Sequence, residues 1–312
     1  MLSNRDKNLI CIPFAFKEGA NGGVNISGSA YTTYLKNACV SLCSAKYYNP
    51  QCEVCFATNI KEIDIPMEYR NIFSNAGITV RYVPFDYFVF PDDYLWSLAF
   101  YKLCVLKYFS EEDYQNICYM DTDVYVQGSF DDIWEECNQN ILLYDINHGL
   151  GVSNYKCICE EFENFLGERK YITHYGGEFF AASSELSREF CKKIQDVYDK
   201  MIETQFVTNK GDEFILSIAA DLMRERIKNA GAYIHRFWTG IGFRLISSCY
   251  RYNRVTILHL PAEKNTGIIK MYNNYIKKGN IPLDKIVWKC FRLSSEPLKD
   301  KIIKLGLKIL KK

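Results

Sequence analysis

No stretch of about 18 consecutive apolar residues occurs anywhere in this 312-residue sequence, so no segment of it reads as a membrane-spanning helix. An excess of charge of one sign is missing as well. With 38 basic against 37 acidic side chains the net charge is +1, which removes any general electrostatic reason to expect a nucleic-acid partner. The first eight residues are polar, and the apolar run behind them is too short for a signal-peptide core followed by a small-residue cleavage site, so export by that route is not expected. A second CxxC pair is also lacking. Cys52 and Cys55 stand alone, and two thiols cannot supply the four ligands of a structural zinc site. The 13 cysteines are odd in number and scattered, which suits reduced thiols in a cytosolic interior better than a disulfide framework. Internal repeats and low-complexity linkers are absent, and a single elaborated domain is expected.

What is present is enough apolar sequence, 48%, to bury a substantial core. Residues 9–16, Leu-Ile-Cys-Ile-Pro-Phe-Ala-Phe, form a short continuous apolar run, as expected of a strand buried on both faces. A loop carrying Gly19, Gly22, Gly23 and Gly28 follows it, where open α/β sheets bind ligands. Apolar spacing predicts a helix over 31–48, ended by Asn49-Pro50, then a strand over 53–58, a helix over 67–75 and a strand over 79–83. A helix over 94–108 precedes a strand over 116–120. This β-α-β-α-β alternation argues for a mostly parallel sheet covered by helices. Beyond it, strands are predicted at 141–143 and 178–181 and helices at 185–201 and 212–226.

Asp121-Thr122-Asp123 stands at the end of the strand over 116–120. Two carboxylates one residue apart at a strand end present hard oxygen ligands to a cleft, which suits Mg²⁺ or Mn²⁺ holding a diphosphate. A divalent ion there would stabilise the charge that develops on a departing diphosphate. Asp-x-Asp alone is a common triplet. Its surroundings make it specific: Ile117-Cys118-Tyr119-Met120 before it, Val124-Tyr125-Val126 after it, and then Gly128-Ser129-Phe130-Asp131-Asp132-Ile133-Trp134.

That extended pattern resembles the signature of GT-A glycosyltransferases, and is most similar to the retaining group that includes glycogenin and the lipopolysaccharide galactosyltransferases. The resemblance implies a Rossmann-like α/β fold with a mixed, mostly parallel sheet flanked by helices. Its nucleotide-binding part would span about 8–130 and its sugar and acceptor part about 131–268, within a domain over 1–290. Further motifs follow in the order the resemblance requires. Lys102 lies where relatives place a basic residue that contacts the donor and the aspartate. Gly176 and Gly177, in His174-Tyr175-Gly176-Gly177-Glu178, fall in the strand that lines the sugar pocket, where glycines permit close backbone approach. Asp212 and Glu213 open a helix like the acidic pair of the retaining families, so the resemblance implies catalytic roles for them: binding hydroxyls and stabilising an oxocarbenium-like centre. Carboxylates at a helix start are also favoured by the helix dipole. His259, ending an apolar strand, is implied as the third metal ligand beside Asp121 and Asp123, with Lys264 gripping the diphosphate. Ala262 stands where the family usually has glycine. Phe14-Ala15-Phe16 is similar to the segment with which blood-group-type transferases hold uridine, so the implied donor is a UDP-sugar, with Thr122 beside it between the aspartates.

Trp238 could stack on an acceptor sugar, and the aromatic stretch over 82–101 could line the acceptor side, although core packing accounts for both. The end of the chain differs from the rest. Residues 299–312 hold six lysines and one aspartate, a local charge of +5, while the remainder carries −4. Leu298, Ile302, Leu305, Ile309 and Leu310 can share a helical face beside those lysines, so the tail over 291–312 has the pattern of an interfacial helix on anionic lipid. The expected reaction is metal-dependent transfer of a hexosyl group to a carbohydrate or lipid-linked glycan, by a cytoplasmic protein able to rest on a membrane surface. Two rivals share the architecture. A sugar nucleotidyltransferase should carry a basic phosphate loop after the first strand, where this chain has only Lys17, and a non-catalytic glycan-binding module should have lost metal ligands that are intact here.

Overall fold

The computed structural model describes residues 7–17, 30–91, 94, 96–146, 155–239, 255–293 and 298–310. Of the glycine-rich loop read over 17–29, residues 18–29 lie outside them. Strand β1 (Asn8–Phe14) runs through the middle of a large sheet, and its side chains alternate: Ile10, Ile12 and Phe14 join one core cluster, Leu9 and Cys11 the other. Both faces are therefore apolar, and a continuous hydrophobic run is what such a strand requires.

Helix α1 (Ala30–Tyr48) leads to β2 (Glu53–Thr58), and α2 (Met67–Ala76) to β3 (Thr79–Tyr82). The chain then crosses through α3 (Tyr101–Ser110) to β4 (Asn116–Met120) on the opposite side of β1. All these strands run parallel. Strand β5 (Val124–Val126) and helix α4 (Asp131–Cys137) follow, then β6 (Ile141–Asp145), helix α5 (Tyr155–Leu166) and β7 (Tyr175–Ser183). Helices α6 (Ser184–Thr204) and α7 (Asp212–Leu222) precede β8 (Ile227–Asn229). The seven-stranded order is β3-β2-β1-β4-β7-β6-β8, with β7 antiparallel to both neighbours. A three-stranded sheet, β5-β10-β9, is built from β5, β9 (Ile234–Arg236) and β10 (Ile257–His259). Helices α8 (Gly267–Asn274), α9 (Asp284–Cys290) and α10 (Leu298–Leu310) complete the described chain.

The expected mixed sheet with covering helices is therefore what forms, and three local expectations need correcting. The helix predicted over 94–108 begins only at Tyr101. Trp96 adopts a left-handed conformation, φ 67°, which a right-handed helix cannot continue, and a single 3-10 turn over Ser97–Phe100 intervenes. The helix starting at Asp212 ends at Leu222 instead of 226, with Met223 leaving helical geometry at φ −121°. The strand read over 178–181 extends to nine residues because all but its ends are buried, with β4 along one edge and β6 along the other.

The packed core reaches Phe291 and Leu293, past the boundary at 290 read from sequence. Helix α10 lies beyond it and stays exposed along Leu298, Ile302, Leu305, Ile309 and Leu310. The aromatic stretch over 82–101 divides: Phe88, Phe90, Phe100 and Tyr101 are core, whereas Tyr82 and Tyr87 are exposed. Cys52 and Cys55 are free, buried thiols.

Candidate active site

The sheet order reverses at β1: the chain moves outward to β2 and β3, then returns to place β4 on the other side. Open α/β sheets bind ligands outside the carboxyl ends of such a strand pair, because the two connections leave in opposite directions and open a crevice. Phe14-Ala15-Phe16 ends β1, and Asp121-Thr122-Asp123 follows β4. The last β1–β4 pairing is Cys11 with Tyr119, so Pro13 lies past the β4 ladder, where its missing N–H breaks no bond on that side. The Phe14 ring is buried against Tyr31, Tyr34 and Phe56, at 6.1, 5.6 and 5.9 Å between centroids. Phe16 is 41% exposed, and Asn59 clamps its backbone, accepting from Phe16 N at 2.9 Å and donating to its carbonyl at 3.0 Å.

The small sheet completes the aspartate loop. Strand β10 pairs antiparallel with β5, setting His259 opposite Val124, and Leu260 N donates to the Asp123 carbonyl at 2.9 Å. From α1, the buried Ser41 hydroxyl lies 2.9 Å from Thr122 O and 2.8 Å from Val124 O. Asp121, Asp123 and His259 consequently bring one ligand atom each to within 4.8 Å of one another, a candidate metal site. His259 Nε2 is 3.3 Å from Asp123 Oδ2 and 4.0 Å from Asp121 Oδ2. Asp123 Oδ2 is buried and accepts no well-aligned hydrogen bond, although Lys264 Nζ stands 3.4 Å away. An orphaned carboxylate oxygen beside a second carboxylate and an imidazole is a donor set that fits a divalent cation.

The charges here are strongly biased. Burial opposes ionisation of Asp123, yet Lys264 and His259 hold its carboxyl well below the usual carboxylate range. For His259 burial disfavours the imidazolium, but Asp123 and Glu178 push the ring up to about 9. Lys264 keeps its charge against burial through Asp123 and extends over the Tyr34 ring, 5.6 Å from its centroid.

Lys102, on α3, joins this loop to α7. Its Nζ lies 3.2 Å from Asp121 Oδ1 and 3.0 Å from Asp212 Oδ2. Gly211, φ +60°, turns the chain into α7, and a side chain there would come within 3.0 Å of the Trp96 Cβ. Asp212 and Glu213 then occupy the first helical turn, where the dipole favours negative charge. Burial, eased by Lys102 and reinforced by Glu213 and Asp121, pushes the Asp212 carboxyl up to about 6. Burial acts the same way on Glu213, but its pairing with His174 at 3.0 Å and Arg236 at 3.3 Å holds it below the usual value.

Gly176 and Gly177 lie between these groups. A Cβ on Gly176 would stand 1.8 Å from Glu178 Oε2, and one on Gly177 would stand 2.0 Å from Asp212 Oδ2 and 2.8 Å from Lys102 Nζ. The room the glycines leave is taken by those side chains.

The structure thus gathers Asp121, Asp123, His259, Lys264, Lys102, Asp212 and Glu213 into one connected group, with Phe14 packed on Tyr34, the ring over which Lys264 extends. Sequence reasoning missed Glu178, Arg236 and Ser41. Glu178 sits in a strand read only for its glycines, and Arg236 in a three-residue strand that carries no motif. Trp238 is 47% exposed two residues after β9.

Among curated proteins, none matches the chain by sequence. Solved structures match by fold. The chain superposes on an active-site glutamine-to-glutamate mutant of LgtC with a TM-score of 0.56 at 14% identity, covering 91% of this chain and 99% of that one. The galactosyltransferase LgtC in complex with donor and acceptor sugar analogues gives 0.55 at 13%, covering 90% and 99%. At such identity the likeness establishes the GT-A architecture. The sequence profile of glycosyl transferase family 8 matches residues 25–193, over half of the chain, and spans the Asp-Thr-Asp loop, Lys102, Gly176 and Gly177. On that match, carried by a GT-A sheet with an Asp-Asp-His group at its switch point, the chain belongs to glycosyl transferase family 8.

Proposed function

We propose that this glycosyltransferase moves a hexosyl group from a UDP-sugar to a carbohydrate or lipid-linked glycan, with retention of configuration and with Mn²⁺ or Mg²⁺ bound by Asp121, Asp123 and His259. The observation that carries the reading is the convergence of those three ligand atoms, between Lys102 and Lys264, at the carboxyl ends of β1 and β4. A bound divalent cation supplies Lewis-acid stabilisation to a departing diphosphate. Lys264 adds a fixed cation on the same side, and Lys102 faces the donor from α3. Phe14, Ala15 and Phe16 form the base end, with the exposed Phe16 face available to a planar ring. The bond that breaks joins the anomeric carbon to a phosphate oxygen, and the bond that forms joins it to the acceptor hydroxyl oxygen. Asp212 and Glu213 stand on the α7 side, where a carboxylate would stabilise an oxocarbenium-like carbon, and Gly177 leaves the room that Asp212 and Lys102 occupy. The family match is to glycosyltransferases and favours neither a nucleotidyltransferase nor a non-catalytic module.

No helix among the described residues is long and apolar enough to cross a membrane. The acceptor side of the proposal includes a surface contact instead. Helix α10 exposes Leu298, Ile302, Leu305 and Ile309 with Lys301, Lys304 and Lys308 beside them, a form that suits anionic lipid. Co-sedimentation with phosphatidylglycerol vesicles, lost in phosphatidylcholine and on truncation after residue 293, would bear this out; equal recovery in both lipids would not.

The donor is tested by thermal shift with UDP, GDP and other nucleotides, each with and without Mn²⁺. Stabilisation by UDP that needs the metal and disappears in Asp123→Ala is the expected result. No response to any nucleotide, with the variant behaving as wild type, removes the reading. Hydrolysis of a panel of UDP-sugars then names the sugar.

A further inference from the structure

Glu178 is fully buried at the middle of β7, although a lone carboxylate is costly to desolvate. It is not alone. Arg236 Nε and Nη2 donate to Glu178 Oε1 and Oε2, each at 2.7 Å, a bidentate pair. The same Oε1 lies 3.2 Å from His259 Nδ1. The imidazole turns its other nitrogen, Nε2, toward Asp123 and Asp121. Because the two ring nitrogens occupy different edges of the ring, a carboxylate held at Nδ1 is behind the proposed ion and is not among its ligands.

Three backbone pairings create this stack. Asp121 N donates to Glu178 O at 3.0 Å, seating β7 beside the aspartate loop. Strand β9 runs parallel to β10 with Arg236 in register with His259. Gly176, on the same face of β7 as Glu178, leaves the space its carboxylate and the guanidinium fill.

We propose that Glu178, locked by Arg236, is a positioning residue that fixes the His259 ring with its proton on Nδ1 and its Nε2 lone pair aimed at the metal. Ligating histidines commonly depend on such a carboxylate for tautomer, orientation and basicity. Arg236 also reaches Glu213 Oε1 at 3.3 Å, so the guanidinium that locks Glu178 ties the metal side of the cleft to the α7 side. The inference rests on the metal reading proposed above.

Its test is Mn²⁺ uptake, followed by loss of the free-ion electron paramagnetic resonance signal, with and without UDP, in wild type, Asp123→Ala and Glu178→Gln. Wild type is expected to bind and Asp123→Ala to fail, with Glu178→Gln, shown by circular dichroism to be folded at the assay temperature, binding about 10- to 100-fold more weakly. Uptake by neither wild type nor Asp123→Ala sinks the metal reading and this inference together. Equal uptake by wild type and Glu178→Gln overturns the positioning role alone, as does a fall in metal-free stability with unaltered affinity. A second measurement needs no variant. In wild type labelled with ¹⁵N-histidine and bound to Mg²⁺ and UDP, the His259 proton is expected on Nδ1, and a proton on Nε2 overturns the proposal.

Discussion

Asp123 and Asp212 face the same cleft from opposite sides, are both buried, and each lies within 3.4 Å of a lysine nitrogen, yet their carboxyls are displaced in opposite directions. Desolvation acts alike on both. What differs is the company. Asp123 has two cations beside it, Lys264 and a His259 that Glu178 also holds, whereas Asp212 has the one Lys102, shared with Asp121, and Glu213 as its neighbour on α7. On the metal side, the two cations beside Asp123 keep its carboxylate ionised, and a bound metal would displace the proton that His259 carries. On the α7 side, a deficit of positive charge holds a carboxylate near its protonation threshold. A substrate that changes the charge in the cleft therefore meets one wall that is fixed and one that can respond.

The strongest way to break the comparison is to delete its fixed side. Asp123→Ala removes a proposed metal ligand and leaves Lys264 and His259 without that carboxylate, so kcat is expected to fall on the order of 10³-fold. Metal-dependent stabilisation by UDP should vanish with it. Activity within a few-fold of wild type would mean that the two sides do not differ in this way. Lys102→Met acts on the shared cation. Both Asp121 and Asp212 lose a partner, and a loss of about 10²-fold in kcat is expected, with partial recovery in Lys102→Arg because charge is restored but not the reach. If Lys102→Met left kcat intact and changed only stability, Lys102 would be a structural bridge and nothing more.

A finer change spares every charge. In Gly176→Ala the new methyl meets the far end of the Glu178 side chain at 1.8 Å, so the carboxylate must move away from Arg236 and His259. Mn²⁺ affinity should drop about 10-fold, the lower end of what losing a ligand's supporting carboxylate costs. The matching change on the other wall, Gly177→Ala, presses on Asp212 and Lys102 instead. It is expected to lower kcat more than metal affinity. The reverse pattern in the two variants would invert the assignment of the two walls.

How much of this could be read beforehand follows from how each residue is placed. Asp121 and Asp123 were legible because a buried strand ending in two carboxylates is a local pattern, and β4 supplies both halves of it. His259 and Lys264 were legible through the family resemblance, whose spacing their own strand and turn carry. The alternation of β1 to β4 with helices gave the parallel sheet in the same way. Glu178 and Arg236 were not legible, since they stand 58 residues apart and meet only because β7 lies against the aspartate loop and β9 against β10. Trp96 misled the helix reading for a related reason: its left-handed backbone sits against Gly211, a residue over a hundred positions away. Periodicity within a window carries no trace of such contacts.

The smallest expected effect tests the responsive wall through folding stability alone. The Asp212 carboxyl stands at about 6 in the folded chain, above the roughly 3.9 of an unfolded aspartate. The folded state thus binds the proton more tightly. As pH rises from about 4 to about 6 the unfolded chain gives up its proton first, and stability falls through that window. Asp212→Asn cannot titrate, so the fall attributable to this site is absent from it. Urea unfolding of both proteins, without metal, at pH 4 and pH 7 isolates the difference, because other titrating groups largely cancel. The variant should gain about 2 kcal/mol on wild type between the two values, given ~1.4 kcal/mol for each tenfold change in proton affinity and some relaxation around the site. A gain near zero would mean that Lys102 alone neutralises Asp212 as fully as two cations neutralise Asp123. A gain of opposite sign would place both carboxylates on the same side of the divide, and the difference between the two walls would have to be sought in geometry instead of charge.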